Sequence, residues 1–204
     1  MTETTPRAEA PESSAAASDG GTAGAPRPVK HPVTARTKAR RRAIEVLFEA
    51  DQRGMLGRGR RRDAEDERHW GERDEHAPAQ APVTAAEAAQ TLRDFAARRA
   101  VESANHTEAP AYTREILTGV ADHLADVDDT IETYAQDWTL ARMPAVDRAI
   151  ARVATWEIVY NDDVDAPVAV DEAMTLARML STDDSPRYLG GLLGRIGDLA
   201  DTLR

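Results

Sequence analysis

Apolar residues recur at intervals of three and four along most of the chain after residue 112, and this spacing lines one face of an α-helix. No segment shows the sustained alternation of apolar and polar residues that is typical of a strand. The pattern therefore predicts an all-α fold. The expected helices are Thr34–Arg53, Ala85–Ala104, Tyr112–Tyr134 with a break near Asp126–Asp129, a helix opened by Pro144 that reaches Tyr160, Val168–Leu180, and a last helix that begins at Ser185.

The helix opened by Pro144 is apolar around most of its circumference. A helix of this kind is buried on all sides, so we expect it to lie at the centre of the fold. A turn, Asn161–Pro167, follows it. The apolar positions are Val146, Ile150, Val153, Ala154, Trp156, Ile158, Val159 and Tyr160.

The last helix carries glycines on one face. Ser185 is a favourable residue for its N-cap. Each helical glycine costs up to about 1 kcal/mol relative to alanine, so a compensating role is expected for Gly190, Gly194 and Gly197. Close approach of a neighbouring helix and close approach of a ligand beside Tyr188 are both compatible with this face. The buried stripe of this helix is expected at Leu189, Leu192, Leu193, Ile196, Leu199 and Leu203.

Two segments lack the large apolar residues that a core requires. Residues 1–34 are rich in Pro, Gly, Ser and Ala, and residues 57–84 are charged and nearly free of aliphatic side chains. These compositions predict a disordered N-terminal tail and a flexible insertion. The remaining sequence, within residues 35–204, is expected to form one helical domain.

Charge is distributed unevenly along the chain, whose net charge is −10. Residues 36–62 contain ten Lys or Arg against three acids, whereas residues 108–204 contain eight against nineteen.

The first turns of the first helix carry Arg36, Lys38, Arg40, Arg41 and Arg42. Cations at a helix N-terminus oppose the helix dipole, and a bound polyanion would reverse that sign. The cluster is therefore a candidate nucleic-acid contact, with a solvated basic face as the alternative. Arg58–Arg62 could extend it, and the acidic half suggests a different partner.

The sequence lacks the common signatures of catalysis. It has no cysteine, no phosphate-binding glycine loop and no dinucleotide fingerprint. His69, Glu72 and His76 do not have the spacing of a HExxH metal site, and the acidic turns around Asp128 and Asp163 are interpreted as solvated caps. No run approaches the roughly 20 apolar residues of a membrane span. We therefore expect a cytoplasmic, non-catalytic protein with no cofactor, no metal and no membrane contact.

Several segments resemble the NusB family of bacterial transcription antitermination factors, with an actinobacterial character. The most specific part is an ordered series: VDRAI at residues 146–150, VAVDEA at 168–173 and DSPRYL at 184–189, followed by glycine at 191. The basic segment ARTKARRRAIEVLFEADQRG, residues 35–54, resembles the first helix of the family.

The resemblance implies two small helical bundles and a role in transcription. It implies binding of boxA-type RNA together with NusE, a small-subunit ribosomal protein that is also a Nus factor, on elongating RNA polymerase with other Nus factors. Tyr188 would stack on an unpaired base, and Asp147 would lie on the surface that faces NusE. By position, the RNA surface would include Arg36, Lys38, Arg40, Asp184 and Tyr188. The neighbouring Arg41 and Arg42 are added to it as members of the basic cluster.

The sequence departs from the family pattern at two places. Gly190 stands where the family usually has Asn, and the insertion after Gly57 is longer than usual. An adaptor that binds proteins but not RNA is one alternative, favoured by Gly190. The regulatory domain of an rRNA cytosine methyltransferase is another, opposed by the lack of a cofactor-binding α/β segment in the sequence. The sequence leaves open the choice between monomer and homodimer, the exact RNA sequence, and the roles of the tail and insertion.

Overall fold

The computed structural model describes residues 1–2, 33–56, 84–101, 108–136 and 138–204. Within these ranges the regular secondary structure is helical, with no strand, which confirms the predicted all-α fold. The helices all belong to one compact unit, residues 32–204. They are α1 (Ala35–Gln52), α2 (Ala85–Val101), α3 (Ala111–Asp122), α4 (Leu124–Tyr134), α5 (Ala145–Tyr160), α6 (Ala166–Leu180), α7 (Ser185–Asp198) and α8 (Ala200–Leu203).

Threonine caps fix the starts of α1 and α2. The Thr37 N–H donates to Thr34 Oγ1 at 3.0 Å, and the Thr34 N–H donates to Thr37 Oγ1 at 3.3 Å. Thr84 and Glu87 form the same reciprocal arrangement at α2, with distances of 2.9 and 3.2 Å. Each pair satisfies backbone donors that the first helical turn leaves free. Most of the predicted tail and insertion, residues 3–32 and 57–83, lies outside the described residues.

α5 lies at the centre of the fold, as its all-round apolar pattern predicts. Every residue from Asp147 to Val159 is buried. The helices α1 to α4 pack on one another, α6 and α7 pack together, and α5 contacts members of both groups. One continuous apolar core joins the two groups.

Two buried arginines of α5 tie it to α1 and α4. Arg148 Nη2 lies 2.5 Å from Asp51 Oδ2, and Arg152 Nε lies 2.7 Å from Asp128 Oδ1. Arg152 is 0% exposed and also lies 3.5 Å from Asp51. The interpretation of Asp128 as a solvated cap is wrong, because its carboxylate is buried against Arg152. Removing one member of such a network leaves an uncompensated buried charge, so the network fixes how the helices meet.

The predicted third helix is two helices, and the break lies at His123 rather than near Asp126–Asp129. α4 continues through Asp128, and Arg152 binds the carboxylate of that residue inside the core. The His123 ring stacks on Tyr160 of α5, with 3.9 Å between ring centroids and 13° between planes. The break at His123 thus lies against the end of the central helix.

The glycines of α7 do not form the shared close-packed face that their spacing predicts. A Cβ on Gly190 would lie 3.1 Å from Met174 Sδ, but a Cβ on Gly194 would meet nothing within 4 Å. The tight contact is at Gly119 of α3, where a Cβ would lie 2.1 Å from the Trp156 ring. The buried stripe also ends early, since Leu199 is 39% exposed between α7 and α8.

Candidate nucleic-acid interface

The start of α1 presents a basic surface. Arg36, Lys38 and Arg41 are exposed and Arg42 is partly exposed. The first turn contains no acidic residue. An anion bound at this helix end would therefore meet both the helix dipole and the basic side chains.

The carboxylates around α1 distinguish these cations. Arg41 Nε lies 3.1 Å from Glu45 Oε1, and Arg42 Nη1 lies 3.4 Å from Glu45 Oε2. These exposed pairs contribute little and can give way to a ligand. Within the described part of the chain, no carboxylate lies within ion-pair distance of Arg36 or Lys38. These two residues are therefore the cations of α1 with the most freedom to bind an anion.

Arg40 does not belong to this surface. It is 2% exposed, its Nε lies 2.9 Å from Glu157 Oε1, and its Nη1 lies 3.4 Å from Glu172 Oε2. The structure corrects the expectation that Arg40 contacts RNA, because the Arg40 guanidinium is buried and pairs with two carboxylates inside the protein. Arg40 holds α1 against α5 and α6.

Tyr112 of α3 connects the buried and exposed arginines of α1. Arg36 Cζ lies 4.9 Å from the centroid of the Tyr112 ring, and Arg40 Cζ lies 5.4 Å from it. The Tyr112 hydroxyl donates a hydrogen bond to Glu157. Burial raises the pKa of Tyr112, and the hydrogen bond to Glu157 raises it further, so the phenol stays neutral.

The start of α7 differs from its sequence-based description. Asp184, not Ser185, occupies the N-cap, and it makes no side-chain capping bond. The Ser185 hydroxyl is buried and donates to Asp147 Oδ2 at 2.7 Å. Ser181 and Thr182 lie within hydrogen-bond distance of the same hydroxyl, at 3.0 and 2.8 Å. The Ser185 hydroxyl therefore attaches the turn between α6 and α7 to α5.

Asp147 is 0% exposed. The expectation that it lies on a surface facing a partner protein is wrong, because its carboxylate faces the Ser185 hydroxyl in the interior. Asp184, by contrast, is exposed as expected.

Tyr188 lies in the first turn of α7, but it is only partly exposed and its hydroxyl oxygen is buried. Its ring contacts Trp138, with 5.0 Å between centroids and 36° between planes. Trp138 is 39% exposed, so it is the more accessible ring of this pair. The predicted stacking of Tyr188 on a base stays a prediction.

The structure separates the predicted site residues into two groups. The start of α1 lies beside the C-terminal end of α5, where Arg40 meets Glu157. The start of α7 lies beside the N-terminal end of α5, where Ser185 meets Asp147. Ten residues of α5 separate these points, which corresponds to about 15 Å along the helix. A single ligand that touched both groups would have to be extended.

Sequence reasoning missed Tyr112, Glu157 and Glu172. An available signal was Glu157 itself, since an acid inside a helix that is apolar all round requires a buried cationic partner. The identity of that partner could not be predicted, because Arg40 lies 117 residues away in the chain.

The described residues contain no group of three or more His, Asp or Glu side chains that could hold a metal ion. No helix among them is long and apolar enough to cross a membrane. Arg58–Arg62 and the residues His69, Glu72 and His76 lie outside the described residues.

The fold and the site define a small all-helical protein with a basic helix start that buried ion pairs join to the central helix. A search of family models matches residues 37–198 to the NusB family. The chain belongs to the NusB family.

Individual relatives agree with this assignment. The chain is 46% identical to the transcription antitermination protein NusB of Beutenbergia cavernae over 84% of this chain and 95% of that protein. It is 43% identical to the protein of the same name from Arthrobacter sp. strain FB24, over 84% of this chain and 98% of that protein. A solved NusB structure from T. maritima superposes with a TM-score of 0.54 at 23% identity, covering 81% of this chain and 92% of that one. This last likeness supports the fold alone.

Proposed function

We propose that this protein acts in transcription antitermination as a non-catalytic factor that binds boxA-type RNA together with the ribosomal protein NusE. The observation that carries the RNA-binding part is the pair Arg36 and Lys38, exposed at the start of α1 without a carboxylate partner among the described residues. Arg41 and Arg42 extend the surface, since their pairs with Glu45 are exposed and weak. Such a row of cations is suited to binding the phosphates of an RNA strand.

The proposed partner surface rests on charge. A ribosomal protein is basic, and the α5–α8 half presents exposed carboxylates that would attract it. These residues are Asp162, Asp163, Asp165, Asp171, Asp183, Asp198 and Asp201. Because Asp147 is buried, these exposed carboxylates, rather than Asp147, form the proposed surface for NusE.

Titration of labelled boxA RNA and of a base-shuffled RNA, with and without NusE, tests the function. We expect boxA RNA to bind more tightly than the shuffled RNA, and NusE to increase its affinity. Arg36→Ala and Lys38→Ala should each weaken binding of both RNAs, because phosphate contacts carry no sequence information.

A protein-interaction adaptor is the alternative, and the same titration separates the two. An adaptor would bind NusE tightly, whereas its affinities for boxA RNA and for the shuffled RNA would be equally low. Asp162→Asn combined with Asp163→Asn should lower NusE affinity, particularly at low salt, while leaving RNA binding by the isolated protein unchanged.

A further inference from the structure

Tyr112 is the side chain that holds Arg36 in place. The Arg36 guanidinium lies over the Tyr112 ring at 4.9 Å. A cation over an aromatic face is attracted by the ring without using its N–H donors. Arg36 is thereby restrained while its donors stay free, whereas the donors of Arg41 and Arg42 are partly taken by Glu45.

Hydrogen bonds also fix the position of the Tyr112 ring. Its hydroxyl donates to the buried Glu157 carboxylate, which Arg40 also binds. The neighbouring hydroxyl, Thr113 Oγ1, donates to the Ala39 carbonyl of α1 at 3.0 Å, which joins α3 to the basic helix. Thus both the ring and the backbone that carries it are fixed relative to Arg36.

A second chain of contacts fixes the backbone on the other side of Arg36. Glu172 of α6 accepts from Thr37 Oγ1 at 3.1 Å, and its other carboxylate oxygen lies 3.4 Å from Arg40 Nη1. Thr37 is also the residue that closes the capping box with Thr34. The first two turns of α1 are therefore attached to α3, α5 and α6 at once.

We propose that Tyr112 is a positioning residue for RNA binding, which orients the Arg36 guanidinium toward a phosphate without contacting the RNA itself. This inference rests on the proposed function. Restraining Arg36 before binding lowers the side-chain entropy lost when the phosphate is bound. Lys38, which has no such ring contact among the described residues, gains nothing from Tyr112.

A double-mutant cycle tests this directly in the full-length protein, with boxA RNA as the probe. Tyr112→Leu should weaken RNA binding by about two- to tenfold, which corresponds to the cost of ordering one long side chain on binding. Arg36→Ala should then cost less affinity in the Tyr112→Leu background than in the wild type, by about the same factor. Lys38→Ala is the matched control and should cost the same in both backgrounds.

Tyr112→Phe keeps the ring and removes the hydroxyl, so it should retain the coupling to Arg36. A protein-only measurement supports the cycle: the Arg36 side-chain NMR signals should carry a ring-current shift in the wild type and in Tyr112→Phe, and lose it in Tyr112→Leu. Melting curves identify variants that are not folded. If Tyr112→Leu is one of them, the ring-current shift of Arg36 in the wild type carries the test, and its absence there would overturn the positioning role.

The outcomes separate the two proposals. If Arg36→Ala and Lys38→Ala each weaken binding but Arg36→Ala costs the same in both Tyr112 backgrounds, the positioning role is overturned and RNA binding by α1 stands. If neither single variant weakens binding, the RNA-binding role of α1 is overturned and the positioning role with it.

Discussion

Arg40 Nε lies 2.9 Å from Glu157 Oε1, and both side chains are buried. This contact joins the basic helix α1 to the central helix α5. It also changes the meaning of the arginine cluster, since one of its five cations stabilises the fold while the others face outward.

Arg40→Ala should therefore act on stability. Removing the cation leaves Glu157 buried without its main partner, which should lower the free energy of unfolding by about 3–5 kcal/mol. Arg36→Ala and Lys38→Ala, made at exposed positions of the same helix, should change it by about 0.5 kcal/mol or less. Urea unfolding of the three variants measures the difference. Equal stabilities would show that Arg40 is not a structural residue.

The stability lost in Arg40→Ala should depend on pH. Burial raises the pKa of Glu157 above its ordinary value of 4.5, and Arg40 opposes that rise. Without Arg40 the folded-state pKa rises further, and the nearby Glu172 carboxylate favours the same direction. A carboxyl with a raised folded-state pKa contributes stability below its unfolded pKa and loses that stability as the pH rises through the folded value.

Arg40→Ala should accordingly be less destabilised relative to wild type at pH 5 than at pH 8. Unfolding of both proteins at the two pH values checks this. If the difference in unfolding free energy between the two proteins were the same at both pH values, ionisation of Glu157 would not account for the destabilisation of Arg40→Ala.

Asp147→Arg should destabilise the protein by several kcal/mol, because it removes the acceptor of Ser185 and buries a new cation. Asp163→Arg introduces the same side chain at an exposed position and should be nearly neutral. Thermal melting followed by circular dichroism compares them. Matching melting temperatures would show that the region around Asp147 opens readily to solvent.

Gly119 and Gly194 should respond in opposite ways to substitution by alanine. The new Cβ at Gly119 would overlap the Trp156 ring, so Gly119→Ala should cost about 1–3 kcal/mol or more. Gly194 has open space, so Gly194→Ala should stabilise α7 by about 0.5–1 kcal/mol through helix propensity alone. Calorimetric melting of the two variants measures both changes in stability. A destabilised Gly194→Ala protein would contradict the open space described beside Gly194.

Periodicity predicted most of the helices, because burial of one face leaves a local record in the sequence, but it did not place the break at His123 or separate α8 from α7. The central position of α5 followed from its apolar circumference. Spacing could not show which glycine was crowded, since the crowding at Gly119 comes from Trp156, 37 residues later in the chain. Local patterns describe a helix face but not the side chain that lies opposite it.

The candidate site was predicted only in part, for the same reason. Five neighbouring cations look equivalent in sequence, yet Arg40 is buried and Arg36 and Lys38 are exposed. The resemblance of the VDRAI segment to the family pattern places Asp147 on a partner-facing surface, but a motif does not show which of its side chains are buried. The buried partner of Asp147, Ser185, lies 38 residues away and was expected to cap α7 instead.

The central claim is that the outward-facing cations of α1 bind RNA phosphates, and the salt dependence of binding tests it most directly. The dissociation constant for boxA RNA is measured over a range of salt concentrations for the wild type, Arg36→Ala and Lys38→Ala. Each substitution should reduce the slope of log affinity against log salt by about 0.7, the value for one phosphate contact on a single strand. Slopes identical to that of the wild type in both folded variants would contradict the claim.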